Sequence, residues 1–148
     1  QIEFVQGYDD RIHIYADKPT ITTVIRNLVS NAIKFTPEKG VIRILASAQE
    51  NSVTIQIEDT GIGIGPNDLA KLFRIDVHHT TEGTNKEKGT GLGLILCKEF
   101  VELNHGSISV TSKIGEGSRF TIVLPQGNKP ETQNKSVEQE IINKETSN

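Results

Sequence analysis

The sequence contains no methionine, no tryptophan and a single cysteine, and only 5% of its residues are aromatic. Because Cys97 has no second cysteine to pair with, an internal disulfide is excluded and a reducing compartment is expected. No apolar run approaches the ~20 residues that a membrane-spanning helix needs, and no signal peptide is visible. We therefore expect no direct membrane contact by this segment.

The chain has 148 residues and a formal net charge of −3. This length suits one domain that is large enough to bury a core, and the scarcity of aromatic residues predicts that Ile, Val and Leu fill it. The negative charge argues against nonspecific binding to nucleic acid. Since the sequence starts at Gln1 and lacks methionine, we expect it to be a segment of a longer protein.

Apolar periodicity divides the chain into helices and strands. Two amphipathic stretches predict long helices at residues 20–36 and 91–106, and Pro66 is expected to open a short helix between them. Alternation of apolar and polar residues predicts strands at residues 2–5, 11–16, 41–49, 52–59, 107–113 and 118–125. The last four of these strands are expected to form two antiparallel hairpins.

The order of these elements predicts an α/β (α+β) fold. We expect a two-layer sandwich with a mixed, mostly antiparallel sheet and helices on one face. Residues 75–90 are polar without clear periodicity, and a loop of this length in a compact domain is usually functional or disordered. We assign residues 1–125 to the folded domain and the polar residues 126–148 to a linker or disordered tail.

The helix predicted at residues 20–36 carries Asn27, Asn31 and Lys34 within about 60° of one another on one face. Its opposite side is predicted to be apolar, with Ile21, Ile25, Leu28, Val29, Ala32 and Ile33. An ordinary solvated helix face gives the same pattern. A functional face would suit Mg²⁺, which prefers hard oxygen ligands such as amide oxygens. Asn31 is then the best candidate ligand and Asn27 a supporting one, while Lys34 reaches a phosphate as a point charge.

The first glycine cluster, DTGIGIG at residues 59–65, follows a predicted strand. Its glycines let the backbone turn tightly and keep side chains away from a ligand. Asp59 at the strand end can accept a hydrogen bond from an exocyclic amine such as the 6-amino group of adenine. The alternative is a strand-to-helix turn with an Asx cap.

The second glycine cluster, GTGLGL at residues 89–94, precedes a predicted helix. Gly89, Gly91 and Gly93 expose backbone N–H groups at the helix start, where an anion binds favourably. The alternative is a flexible hinge at the end of a loop. A Rossmann site is excluded because the spacing is G-x-G-x-G and the cluster follows a loop rather than a strand. Together, the asparagine face and both clusters predict a Mg-nucleotide site with residues 75–90 as its lid.

The motifs occur in one order: N-x-x-x-N-A-x-K, D-x-G-x-G, a polar lid, G-T-G-L-G-L and G-x-G-S-x-F. In this order they resemble the ATP-binding catalytic domain of bacterial two-component sensor histidine kinases, within the superfamily shared with gyrase, chaperone and mismatch-repair ATPases. The matching segments are NLVSNAIKFT, DTGIGIG, LFRI, GTGLGL and GEGSRF. The resemblance covers about residues 1–125.

The resemblance implies ATP and Mg²⁺ as cofactors. Asn31 is then the metal ligand, Asn27 contacts phosphate or metal, Lys34 contacts phosphate and Asp59 binds the adenine amine. The implied pocket-shaping and phosphate-binding residues are Phe35, Gly61, Gly63, Gly89, Thr90, Gly91, Leu92, Gly93 and Ser118. Two cationic residues, Arg74 and Lys88, flank the lid. For each of them two alternatives remain: it contacts the γ-phosphate, or it is an exposed charge. The expected catalytic set is Asn27, Lys34 and Arg74.

One position separates the subclasses of this superfamily. Its ATPases carry, at the position of Asn27, a glutamate that activates water, and asparagine cannot act as that base. This favours a kinase, in which transfer depends on positioning and charge neutralisation. The alternatives are a non-catalytic ATP-binding regulatory module and an ATP hydrolase of the gyrase or chaperone type.

The phosphate acceptor is expected outside this segment. In the family it is a histidine on a helix before this domain, with an acidic neighbour, and no histidine here has that setting: His13, His78, His79 and His105. The implied partners are a dimerisation and phosphoacceptor domain of the same protein and the receiver domain of a response regulator. The implied location is cytoplasmic. One option is that this segment is the cytoplasmic part of a membrane-bound sensor.

Overall fold

The computed structural model describes residues 1–9, 11–74 and 93–127. In chain order the elements are β1 (Glu3–Gly7), α1 (Lys18–Phe35), β2 (Val41–Ala48), β3 (Ser52–Asp59), α2 (Pro66–Leu69), α3 (Gly93–Leu103), β4 (Ser107–Lys113) and β5 (Gly117–Pro125). The lid predicted at residues 75–90 and residues 128–148 of the predicted tail lie outside these ranges. Among the helices that are described, none combines the length and apolar character needed to cross a bilayer.

The five strands form one mixed sheet in the order β1-β2-β3-β5-β4. β1 runs parallel to β2, and the other three neighbouring pairs are antiparallel. Both predicted hairpins are present, with Ile44 opposite Ile57 in one and Val110 opposite Phe120 in the other. Ile57 also lies opposite Phe120, which joins the two hairpins through β3 and β5. The predicted two-layer sandwich with a mostly antiparallel sheet is confirmed.

The strand predicted at residues 11–16 is wrong. This segment makes only an isolated bridge between Ile14 and Gln126, supported by a hydrogen bond from the Tyr15 N–H to the Pro125 carbonyl oxygen at 2.9 Å. Its alternating Ile12 and Ile14 pack against the core as partly buried residues, and this packing accounts for the apolar pattern. A ladder also needs a continuous partner strand, and β1 takes the available edge of β2.

Helix α1 begins at a side-chain cap and ends before a proline. The Asp17 carboxylate accepts a hydrogen bond from the Thr20 N–H at 3.1 Å, so it satisfies one donor of the first turn. Thr36 is extended at the other end, as expected for the residue before Pro37. The helix therefore has the predicted C-terminal end and begins two residues earlier than predicted.

The buried stripe of α1 is rotated slightly from the predicted one. It consists of Ile21, Val24, Leu28 and Ala32. Ile33, predicted to be apolar-facing, is 44% exposed. The spacing of the buried residues follows the 3.6-residue period, and this period turns Ile33 away from the sheet. The predicted polar face is retained, since Asn27 and Asn31 lie outside the buried stripe.

The core lies between the two long helices and one face of the sheet. Its inner strand residues include Ile42, Val53, Ile57, Ile122 and Leu124, none more than 1% exposed. Helix α3 packs onto α1 and buries Ile95, Cys97 and Val101. Each such aliphatic side chain contributes about 1.5–3 kcal/mol to stability. This packing fixes the polar face of α1 relative to the start of α3 and the end of β3.

Candidate functional site

The asparagine face of α1 meets the first turn of α3. Asn27, Asn31 and Lys34 are all partly buried on α1. A methyl carbon placed on Gly93 would lie 3.8 Å from Cγ and Oδ1 of Asn27. The structure thus brings the last glycine of the second cluster to the first asparagine of the helix motif.

The first glycine cluster packs against the end of α1. The Ile62 N–H donates a hydrogen bond to the Phe35 carbonyl oxygen at 3.1 Å. A Cβ on Gly61 would collide with this same carbonyl oxygen and would lie 2.8 Å from Oδ1 of Asp59. Gly61 therefore leaves no room for a side chain, and its close approach joins Asp59 to the helix that carries both asparagines.

Asp59 presents one carboxylate oxygen with no protein partner among the described residues. Its Oδ1 accepts hydrogen bonds from the Gly61 N–H at 2.8 Å and the Ser118 N–H at 3.3 Å, whereas no described group bonds to Oδ2. Burial raises the pKa of Asp59, and the two backbone donors oppose this shift. The free oxygen is an acceptor suited to an amine such as the one on adenine.

Ser112, near the end of β4, links the loop after Asp59 to the start of β5. Ser112 Oγ accepts a hydrogen bond from the Ile64 N–H at 2.8 Å and lies 2.7 Å from Ser118 Oγ. It also lies within 2.8 Å of the Gly117 carbonyl oxygen, to which it donates. This hydroxyl therefore ties the DTGIGIG loop to the GEGSRF motif.

Two glycines with positive φ allow close backbone contacts in this region. Gly117 has φ of 108°, and a Cβ there would collide with the Asp59 carbonyl oxygen. Gly63 has φ of 76°, and a Cβ there would collide with the Lys113 carbonyl oxygen. Gly63 is among the residues that the motifs predict, whereas Gly117 is not, although GEGSRF contains it. Ser112 was not predicted either, because its position in an alternating strand carries no distinguishing pattern.

The remaining predicted residues are only partly placed. Arg74 is exposed just after α2, where the described stretch ends. Five predicted residues lie outside the described ranges: Lys88, Gly89, Thr90, Gly91 and Leu92. Their roles, and that of Arg74, stay predictions.

The donor set suits Mg²⁺ that is also held by phosphates. Within residues 1–9, 11–74 and 93–127, no group of three or more His, Cys, Asp or Glu side chains is arranged to hold a metal. Asn27 and Asn31 offer amide oxygens, which are hard ligands too few to enclose an ion. Mg²⁺ usually keeps several waters and takes further oxygens from substrate phosphates. The residues therefore fit a metal that arrives with a nucleotide.

A cavity of about 520 Å³ is lined in part by Asp59, Ser112 and Ser118, but it does not extend to the asparagine face. Its charged lining includes Arg43, Glu58 and Arg119, which alternate along their strands with core residues and so lie on the sheet face away from the helices. The Arg119 Nε lies 2.8 Å from Glu58 Oε1. Neither Asn27 nor Asn31 lines this cavity.

Comparison with known families decides what kind of domain this is. Residues 16–128 match the family described as histidine kinase-, DNA gyrase B- and HSP90-like ATPase. The chain belongs to this ATPase family. The resemblance drawn from its motifs is confirmed.

Individual relatives of this ATPase domain are sensor kinases. The sensor histidine kinase TmoS of Ectopseudomonas mendocina is 45% identical over 103 residues, which are 69% of this chain and 11% of TmoS. The sensor histidine kinase WalK of Bacillus subtilis is 36% identical over 127 residues, 84% of this chain and 21% of WalK. The chain thus spans about a tenth to a fifth of the length of these curated relatives.

Solved structures show the same relationship for the fold. The catalytic domain of histidine kinase ThkA has a TM-score of 0.71 and 28% identity, over 84% of this chain and 80% of that domain. Full-length ShkA, solved in complex with AMPPNP, has a TM-score of 0.68 and 28% identity, over 84% of this chain and 26% of ShkA. The ATPase domain described here therefore has the fold of histidine kinase catalytic domains.

Proposed function

We propose that this ATPase domain binds Mg-ATP and donates the γ-phosphoryl group to a histidine on a phosphoacceptor domain outside this segment. One observation carries the proposal. Asp59 Oδ2 has no hydrogen-bond partner among the described residues, and the close approach of Gly61 to Phe35 joins its loop to the helix that carries both asparagines. This supports the proposal, because the candidate adenine acceptor and the candidate metal ligands lie on adjoining elements.

The residues divide the nucleotide between them. Asp59 accepts a hydrogen bond from the adenine amine through Oδ2. Asn31 and Asn27 hold the metal with their amide oxygens, and bound Mg²⁺ supplies neutralisation of the phosphate charge. Lys34 adds a positive charge near the phosphates from the last turn of α1. The start of α3 offers backbone N–H groups to the phosphates.

Kinase chemistry is favoured over hydrolysis by the identity of residue 27. An asparagine amide does not take a proton from water at neutral pH, so Asn27 supplies no general base. Phosphoryl transfer needs chiefly positioning and charge neutralisation. The acceptor and the receiver domain of a response regulator are the proposed partners, since the relatives are sensor histidine kinases. The proposed location is cytoplasmic.

Thermal unfolding with and without Mg-ATP tests nucleotide binding. Ligand at 100 times its Kd stabilises the folded state by about 2.7 kcal/mol, and we expect a matching rise in melting temperature. In Asp59→Asn the Oδ1 acceptor is retained while an NH₂ group replaces Oδ2, so the rise should disappear. Glu58→Gln is the matched control, since the neighbouring carboxylate lies on the other sheet face, and it should keep the rise. An unchanged melting temperature for the wild type contradicts the proposal.

Phosphoryl transfer is tested by mixing this chain with the phosphoacceptor domain of its parent protein and γ-labelled ATP. We expect label on a histidine of the acceptor domain and little free phosphate. Rapid steady-state release of phosphate without acceptor would indicate a hydrolase of the gyrase or chaperone type. ATP binding without transfer or hydrolysis would indicate a regulatory module.

A further inference from the structure

The start of the chain is hydrogen-bonded to the turn that follows α1. The two stretches are the N-terminal segment, which includes β1, and the α1–β2 turn, at residues 1–7 and 37–40. The Lys39 N–H donates to the Gln1 carbonyl oxygen at 3.0 Å, and the Glu3 N–H donates to the Gly40 carbonyl oxygen at 2.9 Å. Two backbone hydrogen bonds therefore attach the N-terminal segment to the α1–β2 turn.

One residue of the α1–β2 turn has a strained backbone. Lys39 has φ of 69°, in the left-handed region, and this conformation costs a residue with a side chain about 1 kcal/mol. Such strain persists only where the surrounding structure holds it. Because the Lys39 N–H makes one of the two bonds to the N-terminal segment, loss of these bonds would allow the turn to relax.

Gly40 connects the α1–β2 turn to the residue after β3. A Cβ on Gly40 would collide with the Thr36 methyl group and would lie 3.1 Å from Thr60 Oγ1. Thr60 bonds to both backbone groups of Val41. Its N–H donates to the Val41 carbonyl oxygen at 3.1 Å, and its Oγ1 accepts from the Val41 N–H at 2.9 Å. The turn is therefore packed against the residue that directly follows Asp59.

These contacts continue to the proposed adenine acceptor. Thr60 stands between Asp59 and Gly61 in the sequence, and the Gly61 N–H donates to Asp59 Oδ1 at 2.8 Å. Gly61 is itself pressed against the Phe35 carbonyl oxygen at the end of α1. A displacement of Gly40 is thus passed through Thr60 to the loop that orients the Asp59 carboxylate.

The N-terminal segment is weakly held to the rest of the domain. β1 lies at one edge of the sheet, where it pairs with β2. Four of its five residues are exposed, and Val5 is partly buried. Local opening costs least where few apolar contacts are buried. β1 can therefore open from β2 without unfolding of the core.

We propose that β1 regulates the nucleotide site, because attachment of the N-terminal segment to the α1–β2 turn and binding of Mg-ATP at Asp59 favour each other. The inference rests on the proposed function for the identity of the ligand. Coupling between two sites is reciprocal. Opening of β1 lowers nucleotide affinity by the same factor by which bound nucleotide suppresses the opening. Any partner that separates β1 from β2 thereby promotes release of nucleotide.

Proline substitutions within β1 test the coupling. Glu3→Pro removes the N–H that bonds to Gly40, whereas Gln6→Pro removes an N–H that faces the open edge of the sheet by strand alternation. We expect Glu3→Pro to weaken Mg-ATP binding about fivefold or more, measured by calorimetric titration well below the melting temperature. Gln6→Pro is the matched control and should leave the affinity unchanged. Equal affinities for the two variants would overturn the proposal.

Amide hydrogen exchange of the wild-type chain, measured by NMR, tests the coupling in the other direction without a substitution. We expect saturating Mg-ATP to slow exchange of the Glu3 and Lys39 N–H groups about fivefold or more. The Gly127 N–H, which donates to the His13 carbonyl oxygen at 3.0 Å beyond the end of β5, is the control and should not be slowed.

The exchange experiment separates failure of the coupling from failure of the proposed function. Mg-ATP that binds without slowing exchange at Glu3 and Lys39 would overturn the coupling alone. Slowing of Gly127 by as much or more would do the same, since it would indicate general stabilisation. Absence of Mg-ATP binding in the wild type would overturn the proposed function and the coupling together.

Discussion

Asn104, which follows α3, accepts a hydrogen bond through Oδ1 from the backbone N–H of Asp17, the N-cap of α1, at 2.6 Å. Its Nδ2 donates to Thr20 Oγ1 at 3.0 Å and to the Phe100 carbonyl oxygen at 2.7 Å. Asn104 is only 9% exposed, so these bonds satisfy a buried amide. They connect the end of α3 to the start of α1, at the opposite end of α1 from Lys34 and Phe35.

Removal of this amide should destabilise the domain. In Asn104→Ala the Asp17 N–H and the Thr20 hydroxyl lose their partner in a partly buried position, and we expect a loss of about 2 kcal/mol in the free energy of unfolding. Urea denaturation followed by circular dichroism measures it. Glu102→Ala, an exposed position on the same helix, is the control and should change stability little. Equal midpoints for both variants would show that the Asn104 bonds contribute nothing net.

The two glycines of the β4–β5 turn should respond differently to alanine. Gly115 has φ of 82° and open space within 4 Å of where a Cβ would lie, so Gly115→Ala carries only the cost of a left-handed conformation, about 1 kcal/mol. Gly117 combines φ of 108° with a collision against the Asp59 carbonyl. We expect Gly117→Ala to cost about 1–2 kcal/mol more than Gly115→Ala and to weaken Mg-ATP binding. Denaturation and titration measure both effects, and similar values for the two variants would argue against the close approach.

The sequence predicted those parts of the fold that local periodicity determines. The helix over Asn27 and Asn31 and both hairpins follow from spacing and from stops such as Pro37. The segment around Ile14 could not be separated from a strand, because its alternation serves packing and the lack of a ladder depends on where β1 pairs.

Residues of the candidate site that stand in sequence motifs were predicted, whereas a residue that acts only through tertiary contacts was missed. Asp59 and Gly61 stand in a recognisable order, and the structure places them together. Ser112 bonds to Ile64, a partner 48 residues away in sequence. No local pattern reports such a partner, so its role needed the folded arrangement.

The Asp59 carboxylate should cost stability at neutral pH. Its folded pKa is raised above 3.8 by burial, so over the pH range between the unfolded and folded values the native state binds more protons than the unfolded state. Stability therefore falls as pH rises from 3.8 through the folded value. Asp59→Asn keeps the Oδ1 acceptor for Gly61 and removes this titration. We expect the variant to gain stability relative to wild type between about pH 4 and pH 7, measured by urea denaturation at both. A constant difference across this range would contradict a raised pKa.

Ser112 should matter for nucleotide affinity although no direct contact with the nucleotide is proposed for it. Its hydroxyl links the Ile64 N–H to Ser118 and Gly117, and these contacts hold the loop that positions the Asp59 Oδ1 donors. We expect Ser112→Ala to lower stability by about 1–2 kcal/mol and to reduce Mg-ATP affinity by a similar free energy. Ser109, exposed on the same strand, is the matched control, and Ser109→Ala should change neither quantity. Calorimetric titration and denaturation of both variants measure this. Loss of stability with unchanged affinity would show that Ser112 supports the fold without positioning the Asp59 pocket.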